Sequence, residues 1–410
     1  MADEAVLQCE IDIGARRVLH VLRGTVLGHT ACDNCRVPTN TLARHARAAA
    51  HHGAFVGRPA RGSADIFVRV APTQSRLPLT ERATTFRTVT EHSLVDPELV
   101  PFLGAVPSFD FRPETLADTR RDAAGTIAPP PVAGPPVTRE ELSVPGPEGA
   151  PPVRVLVYRP VAPSTTKLPV LLHCHGGGFV LLGPEATDGR NRFRAGDLGC
   201  LVVSVDYRLA PETPFPGPIE DCYAVLTWLY RNAEALNVDT TRIAVGGESA
   251  GGGLAASLAL MARERNEVPL AFQLLIYPML DDRTGTVPPA EKNASTGAVM
   301  WTADNNRFGW RALLGREPGT GSVSPYCAAA RATSVAGLPP ALLQVGALDI
   351  LADETIDYAH RLIRAGVPTE LQVYPGFFHG ADLLPGTRLG QRFATDHNEA
   401  LRRAFARPSK

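Results

Sequence analysis

The sequence predicts an α/β protein whose central sheet is mostly parallel and is covered by helices on both faces. Short apolar runs recur beyond residue 150, and segments with helical periodicity separate most of them. Such alternation is typical of parallel sheets, because a crossover between parallel strands usually carries a helix. The chain has 410 residues, of which 44% are hydrophobic, so it can build a full core.

Seven apolar runs predict the strands of this sheet. Each is short and rich in valine, leucine or isoleucine, as expected for strands that are buried on both faces. The runs are VRVLVY (153–158), VLLHCH (170–175), LVVSV (201–205), IAVGG (243–247), FQLLI (272–276), ALLQV (341–345) and ELQVY (370–374). Between them, the segments with helical periodicity include IEDCYAVLTWLYRNAEAL, AGGGLAASLALMARER and ETIDYAHRLIRAG.

The chain before the sheet divides into two segments. Residues 1–95 show no sustained period of two or 3.6 residues, which predicts an extension of unknown structure that is poorly ordered. Cys32 and Cys35 have C-x-x-C spacing, but no second such pair follows, so a zinc knuckle is the less favoured hypothesis. Residues 95–125 show helical periodicity and capping signals, and the linker APPPVAGPPV follows them. Residues 96–135 are therefore predicted to form a helical segment ahead of the core.

The predicted core is interrupted once. Residues 136–280 and 336–410 hold the predicted strands, whereas residues 281–335 lack a clear strand and include MWTADNNRFGWRALLG. This interval predicts an insertion that folds over one edge of the sheet.

Composition narrows the class of protein. The net charge of −1 gives no electrostatic reason to expect binding to nucleic acid or to an anionic membrane surface. No apolar run is long enough for a membrane helix, and the start MADEAVLQ lacks the pattern of a signal peptide. The seven cysteines form an odd set along a long chain, which favours reduced thiols. We therefore expect a soluble, cytoplasmic protein without membrane insertion.

A serine lies at the junction of a predicted strand and a predicted helix. Gly247, Ser249 and Gly251 form G-x-S-x-G within RIAVGGESAGGG. Small flanking residues permit the tight turn that exposes a serine hydroxyl at the start of a helix. The motif alone is weak, since glycine-rich turns are common before helices, but this context predicts a nucleophile.

A nucleophilic serine needs a base, and the base needs an acid that orients it. In this fold class both follow the serine in chain order, on loops beyond later strands. Asp349 follows ALLQV directly, and His379 lies on the loop after ELQVY. Asp353 and Glu354 are further candidates, but they fall where a helix begins and can cap it. The sequence thus predicts a triad of Ser249, His379 and Asp349.

Three consecutive glycines follow the second predicted strand, in HCHGGGF. Attack by a serine on a carbonyl group creates an oxyanion, which backbone N–H groups stabilise when no side chain blocks their approach. The residue after the nucleophile contributes another N–H group. The candidates for this role are Gly176, Gly177, Gly178 and Ala250. A phosphate-binding loop is the weaker hypothesis, because neither G-x-G-x-x-G nor G-K-[ST] is present.

These motifs resemble those of the hormone-sensitive-lipase-like bacterial esterases. The matching stretches are HGGGF (175–179), DYRLAPE (206–212), GESAGG (247–252), LDILADE (348–354) and FHG (378–380). The resemblance implies an α/β-hydrolase fold with a helical cap built from residues 96–135 and 281–335. It also implies the same triad, structural roles for Asp206, Arg208 and Glu212, and a homodimer through the last strand and helix. Two features depart from the family: Glu248 stands where Asp or Thr is usual, and residues 1–95 have no counterpart.

The leading hypothesis is a serine carboxylesterase for esters with short or medium acyl chains, working without a metal or organic cofactor. Candidates to line its pocket are Phe179, Val180, Phe215, Trp301, Phe308 and Trp310, although ordinary packing of the cap explains each one slightly better. An amidase or deacetylase with the same triad is the alternative. A ligand receptor of this fold, like the plant gibberellin receptors, lacks the histidine, so His379 argues for turnover.

Overall fold

The computed structural model describes residues 5–13, 16–24, 66–68, 93–126, 134–161, 166–286 and 295–406. The chain divides into two units, Met1–Arg82 and Ala83–Lys410. Cys32 and Cys35, the C-x-x-C pair, lie outside the described residues.

The first unit contains an antiparallel sheet that the sequence analysis did not predict. Its strands are β1 (Ala5–Ile13), β2 (Arg16–Gly24) and β3 (Ile66–Val68), in the order β2-β1-β3. The signal for β1 is a period of two in which Leu7, Cys9 and Ile11 alternate with polar residues.

The second unit is built on an eight-stranded sheet, which confirms the α/β fold class. Its strands are β4 (Val137–Val144), β5 (Val153–Pro160), β6 (Leu168–Cys174), β7 (Leu201–Asp206), β8 (Val238–Glu248), β9 (Phe272–Ile276), β10 (Ala341–Gly346) and β11 (Thr369–Tyr374). The order is β11-β10-β9-β8-β6-β7-β5-β4, parallel from β11 to β7 and antiparallel at the β5 and β4 edge. All seven predicted runs are strands.

Helices pack against both faces of this sheet. The α-helices in the described part of the second unit are α1 (Leu116–Thr126), α2 (Asp188–Leu198), α3 (Gly217–Arg231), α4 (Ala250–Arg265), α5 (Ala303–Leu314), α6 (Ala352–Arg364) and α7 (Arg388–Phe405). Those that contact the strands are α2, α3, α4, α6 and α7. Side chains of β5 alternate between two apolar clusters: Val155 and Val157 belong to one, Leu156 and Tyr158 to the other. Both clusters are buried, which explains why the strand sequences are continuously apolar.

Two segments outside the sheet pack on each other. The ring of Phe111, which precedes α1, stacks on Phe308 of α5 with centroids 5.3 Å apart and meets Trp301 edge-on at 5.9 Å. The described part of residues 281–335 contains no strand, as predicted for an insertion. Within the described residues, no helix is long and apolar enough to cross a membrane.

Candidate active site

Ser249 lies in the tight turn between β8 and α4, with backbone angles φ of +57° and ψ of −121°. A positive φ is strained for a residue with a Cβ, and such strain is common at functional turns. The turn packs against the end of β6: a Cβ at Gly247 would lie 2.3 Å, and one at Gly251 2.0 Å, from the carbonyl oxygen of Cys174. This packing explains the glycine on each side of the serine.

A chain of hydrogen bonds joins Ser249 to two side chains from later loops. His379 Nε2 lies 3.1 Å from Ser249 Oγ, and His379 Nδ1 lies 2.7 Å from Asp349 Oδ2. Asp349 is fully buried, and Ser249 and His379 are only 5% and 6% exposed. The sheet brings the three residues together because β8, β10 and β11 are parallel and end at the same edge.

The other two acidic candidates lie elsewhere. Asp353 is exposed on the first turn of α6. Glu354 is buried and accepts a hydrogen bond of 2.6 Å from the backbone N–H of Leu280, so it links α6 to the segment after β9. Asp349 accepts a second hydrogen bond from the N–H of Leu351, at 2.9 Å, which fixes its carboxylate toward His379.

The three glycines after β6 form a loop that side chains cannot enter. Gly177 has φ of +114°, and a Cβ there would lie 2.0 Å from the carbonyl oxygen of Leu181. Gly178 has φ of +60°, and its Cβ would lie 2.3 Å from the indole of Trp301. Packing within the protein therefore requires glycine at positions 177 and 178. This is a second reason for the glycines, beside the predicted access of the substrate to their backbone N–H groups.

The glycine loop faces the serine. Gly176, Gly177 and Gly178 all line a cavity of about 80 Å³ beside Ser249 and His379. Ala250 is the first residue of α4, where a backbone N–H has no acceptor within the helix. The loop and the start of α4 thus flank the serine.

The rest of the cavity wall is mainly apolar. Its apolar side chains include those of Phe109, Leu181, Leu182, Met300, Trp301 and Leu383. Of the six predicted pocket residues, only Trp301 lines this cavity. The other five belong to one apolar cluster or pack against it: Phe179, Val180, Phe215, Phe308 and Trp310. Phe179 and Trp310, for example, are buried with ring centroids 5.2 Å apart.

Sequence reasoning missed three polar residues of the cavity, Thr187, Arg190 and Tyr277. The ring of Tyr277 meets that of His379 edge-on, with centroids 4.6 Å apart. Tyr277 follows β9 directly, so its place at the carboxyl end of a parallel strand was an available signal. Arg190 lies on α2, and no motif in the sequence marks it.

Glu248, the departure from the family pattern, is the centre of a buried polar network. His173 Nε2 lies 2.8 Å from one of its carboxylate oxygens, and Arg194 donates to the other at 3.0 Å. Burial alone would raise the pKa of Glu248, but His173 and Arg194 together hold this pKa well below its usual range. Glu248 is therefore a carboxylate, fixed directly before the nucleophile.

The acidic and basic residues of DYRLAPE form ion pairs away from the cavity. Arg154 donates to Asp206 at 3.0 Å, and Arg208 donates to Asp221 at 2.7 Å. Glu212 accepts from Arg120 of α1 at 2.7 Å, which ties the segment before the core to the loop after β7. These contacts agree with the structural roles that the resemblance implies.

Comparison with known proteins agrees with this geometry. Residues 171–383 match a family model described as the alpha/beta hydrolase fold. Esterase LipI of Mycobacterium tuberculosis is 37% identical over 298 residues, covering 72% of this chain and 89% of LipI. Carboxylesterase NlhH of the same species is 35% identical over 288 residues, covering 70% of this chain and 88% of NlhH.

Solved structures give the same result. A bacterial heroin esterase is 40% identical with a TM-score of 0.72, covering 77% of this chain and 99% of that one. Esterase LipW from Mycobacterium marinum is 37% identical with a TM-score of 0.65, covering 78% of this chain and 100% of that one. The chain therefore belongs to the hormone-sensitive-lipase-like family of carboxylic ester hydrolases, which has the α/β-hydrolase fold.

Proposed function

We propose that this carboxylic ester hydrolase acts on small esters through an acyl-enzyme formed on Ser249. The observation that carries the proposal is the hydrogen-bonded chain from Asp349 through His379 to Ser249, with contacts of 2.7 and 3.1 Å. Both distances lie within reach for proton transfer. The relatives named as esterases and carboxylesterases support the same reaction class.

In the first half-reaction, His379 Nε2 takes the proton of Ser249 Oγ while the oxygen attacks the ester carbonyl carbon. Asp349 accepts a hydrogen bond from the Nδ1–H group of His379 and so favours the tautomer whose Nε2 is free to act as base. The N–H groups of the glycine loop and of Ala250 stabilise the oxyanion. Removal of one such donor typically costs about 3 kcal/mol of transition-state stabilisation.

The tetrahedral intermediate then collapses. The carbonyl re-forms, the bond to the alcohol oxygen breaks, and the His379 imidazolium gives its proton to the leaving alcohol. In the second half-reaction, His379 takes a proton from water as the water oxygen attacks the acyl carbon. Collapse of this second intermediate releases the carboxylic acid and returns the proton to Ser249.

Cavity size supports a preference for short acyl chains. The space beside Ser249 is about 80 Å³, and the walls are Leu181, Leu182, Met300 and Trp301. Apolar walls around a small space favour a short alkyl group and leave little room for a long one. Trp301 packs on Gly178, so the indole is the wall next to the glycine loop.

The test is the initial rate of hydrolysis of p-nitrophenyl esters from acetate to palmitate, with a matched p-nitroanilide. We expect rates to peak at short chains and to vanish in Ser249→Ala. Ser257→Ala is the matched control, because this buried serine of α4 bonds only to the carbonyl of Pro325 in the described structure and lies outside the cavity. Faster cleavage of the anilide would make an amidase the better assignment, and full activity in Ser249→Ala would refute the nucleophile.

A further inference from the structure

Arg190 connects the two segments that carry Ser249 and His379. Its guanidinium forms an ion pair with Asp382, three residues after His379. Its Nη1 also lies 3.9 Å from a carboxylate oxygen of Glu248, the residue before Ser249. The side chains of Arg190 and Asp382 are 13% and 1% exposed, so water screens this pair only weakly.

Each of the two carboxylates near Arg190 also has polar contacts with other residues. Glu248 has further contacts with His173 and Arg194, as described above. Asp382 accepts a hydrogen bond of 3.3 Å from the hydroxyl of Tyr277. The aromatic ring of that tyrosine is the one that meets His379 edge-on. The cluster therefore reaches both the turn of the nucleophile and the ring of the histidine.

Charge balance in the cluster depends on Arg190. Burial opposes its positive charge, but Asp382, Tyr277 and Glu248 more than compensate and keep its pKa above the usual value. The titratable and charged groups around His379 are Asp349 on the β10 loop, Tyr277 after β9, Asp382 on its own loop, and the pair of Glu248 and Arg190. Loss of the guanidinium would leave two carboxylates without this cation.

We infer that Arg190 is a positioning residue that fixes the loop of His379 relative to Ser249, because its Nη2 pairs with Asp382 and its Nη1 lies near Glu248. The inference rests on the proposed function, since it concerns the same triad. A planar guanidinium suits this bridge better than an ammonium, because its nitrogens point in fixed directions toward separate carboxylates.

Arg190 also lines the cavity, so a direct contact with substrate is the competing explanation. The two roles differ in kinetics. A positioning residue lowers kcat for every acyl chain by a similar factor, whereas a substrate contact changes KM or the ranking of chains.

The experiment measures kcat and KM on p-nitrophenyl acetate and butyrate for four variants. They are Arg190→Met, Arg190→Lys, Asp382→Asn and the double variant Arg190→Met/Asp382→Asn. Arg331→Met is the matched control, because Arg331 donates to the fully buried Asp282 at 2.7 Å but lies outside the cavity. Circular dichroism and Tm establish that each variant is folded. If Arg190→Met does not fold, Arg190→Lys and Asp382→Asn test the inference in its place.

We expect Arg190→Met to lower kcat roughly 10- to 100-fold on both esters and to change KM less than about twofold, since misplacement of a reacting group acts on kcat. Asp382→Asn should lower kcat in the same way, and the double variant should lose little more than either single variant, because both changes break the same ion pair. Arg190→Lys should lose only part of kcat, because the positive charge remains.

Wild-type kcat in Arg190→Met would overturn the inference, as would effects no larger than those of Arg331→Met. A chain-dependent change confined to KM would assign Arg190 to substrate binding instead. If wild type hydrolyses no ester, the proposed function fails separately. In that case, the rate at which diethyl p-nitrophenyl phosphate modifies Ser249 is measured in wild type and in Arg190→Met. Equal rates in the two proteins would overturn the inference.

Discussion

At the scale of single residues, environment separates three carboxyl groups that lie within six positions of one another. Asp349 is fully buried and accepts from both Leu351 and His379. Glu354 is buried against the backbone of Leu280, and Asp353 faces water. Of the three, only Asp349 forms a hydrogen bond with the catalytic base His379. Carboxyl groups at neighbouring positions of the chain therefore have different roles.

Asp349→Asn tests that separation. We expect kcat on p-nitrophenyl butyrate to fall by roughly 10³- to 10⁴-fold, since an amide no longer favours the histidine tautomer that acts as base. Asp353→Asn is the control and should retain wild-type kcat, because its side chain is exposed and away from His379. The reverse ranking in steady-state assays would mean that another carboxylate orients the base.

At the scale of elements, Arg120 attaches α1 to the core. Besides its pair with Glu212, it donates to the backbone carbonyls of Val180 and Ala210 at 2.6 and 2.9 Å. Val180 belongs to the segment directly after the glycine loop. One side chain thus joins the segment before the core to the neighbourhood of the candidate oxyanion donors.

Arg120→Ala should loosen α1. Loss of these charge-assisted hydrogen bonds should lower the free energy of unfolding by about 1–3 kcal/mol and speed limited proteolysis within α1. The adjacent Arg121 provides the control, because its partner Asp118 and the arginine itself are 67% and 72% exposed. Urea titration and mass spectrometry of tryptic fragments would measure both effects, and equal behaviour of Arg120→Ala and Arg121→Ala would contradict this account of the attachment.

At the scale of the whole molecule, the sheet was predictable because its strands are buried on both faces. FQLLI is β9 residue for residue, whereas β4 was missed because VTREELSV is largely exposed and carries charges. Ser249, Asp349 and His379 followed from motifs and chain order. The place of Arg190 and the outline of the cavity wall depend on which side chains meet in space, and local sequence does not contain that information.

The folded molecule also contains buried histidines that couple its stability to pH. Burial lowers the pKa of His175 to about 4, and burial together with Arg194 lowers that of His397 well below its usual value. The unfolded chain binds protons at these positions near pH 6.5, so the folded state loses stability as pH falls from there toward 4. For His175 alone, the loss by pH 5 is about 2 kcal/mol.

His397→Asn should therefore reduce the decline in unfolding free energy between pH 7 and 5, measured by urea titration. Asparagine can still contact Gln344, the partner of His397 Nδ1 at 3.2 Å. His360→Asn is the control, because His360 is exposed on α6 and its replacement should leave the decline unchanged. Identical pH dependence in wild type and His397→Asn would show that this histidine does not contribute.

The identity of the nucleophile is tested most directly by covalent modification with diethyl p-nitrophenyl phosphate, followed by peptide mass spectrometry. We predict one equivalent of p-nitrophenolate per chain, an adduct on Ser249, and loss of ester hydrolysis in proportion to labelling. Ser257→Ala should label like wild type, and Ser249→Ala should not label. An adduct on another residue, or full ester turnover by the labelled protein, would contradict the acyl-enzyme mechanism.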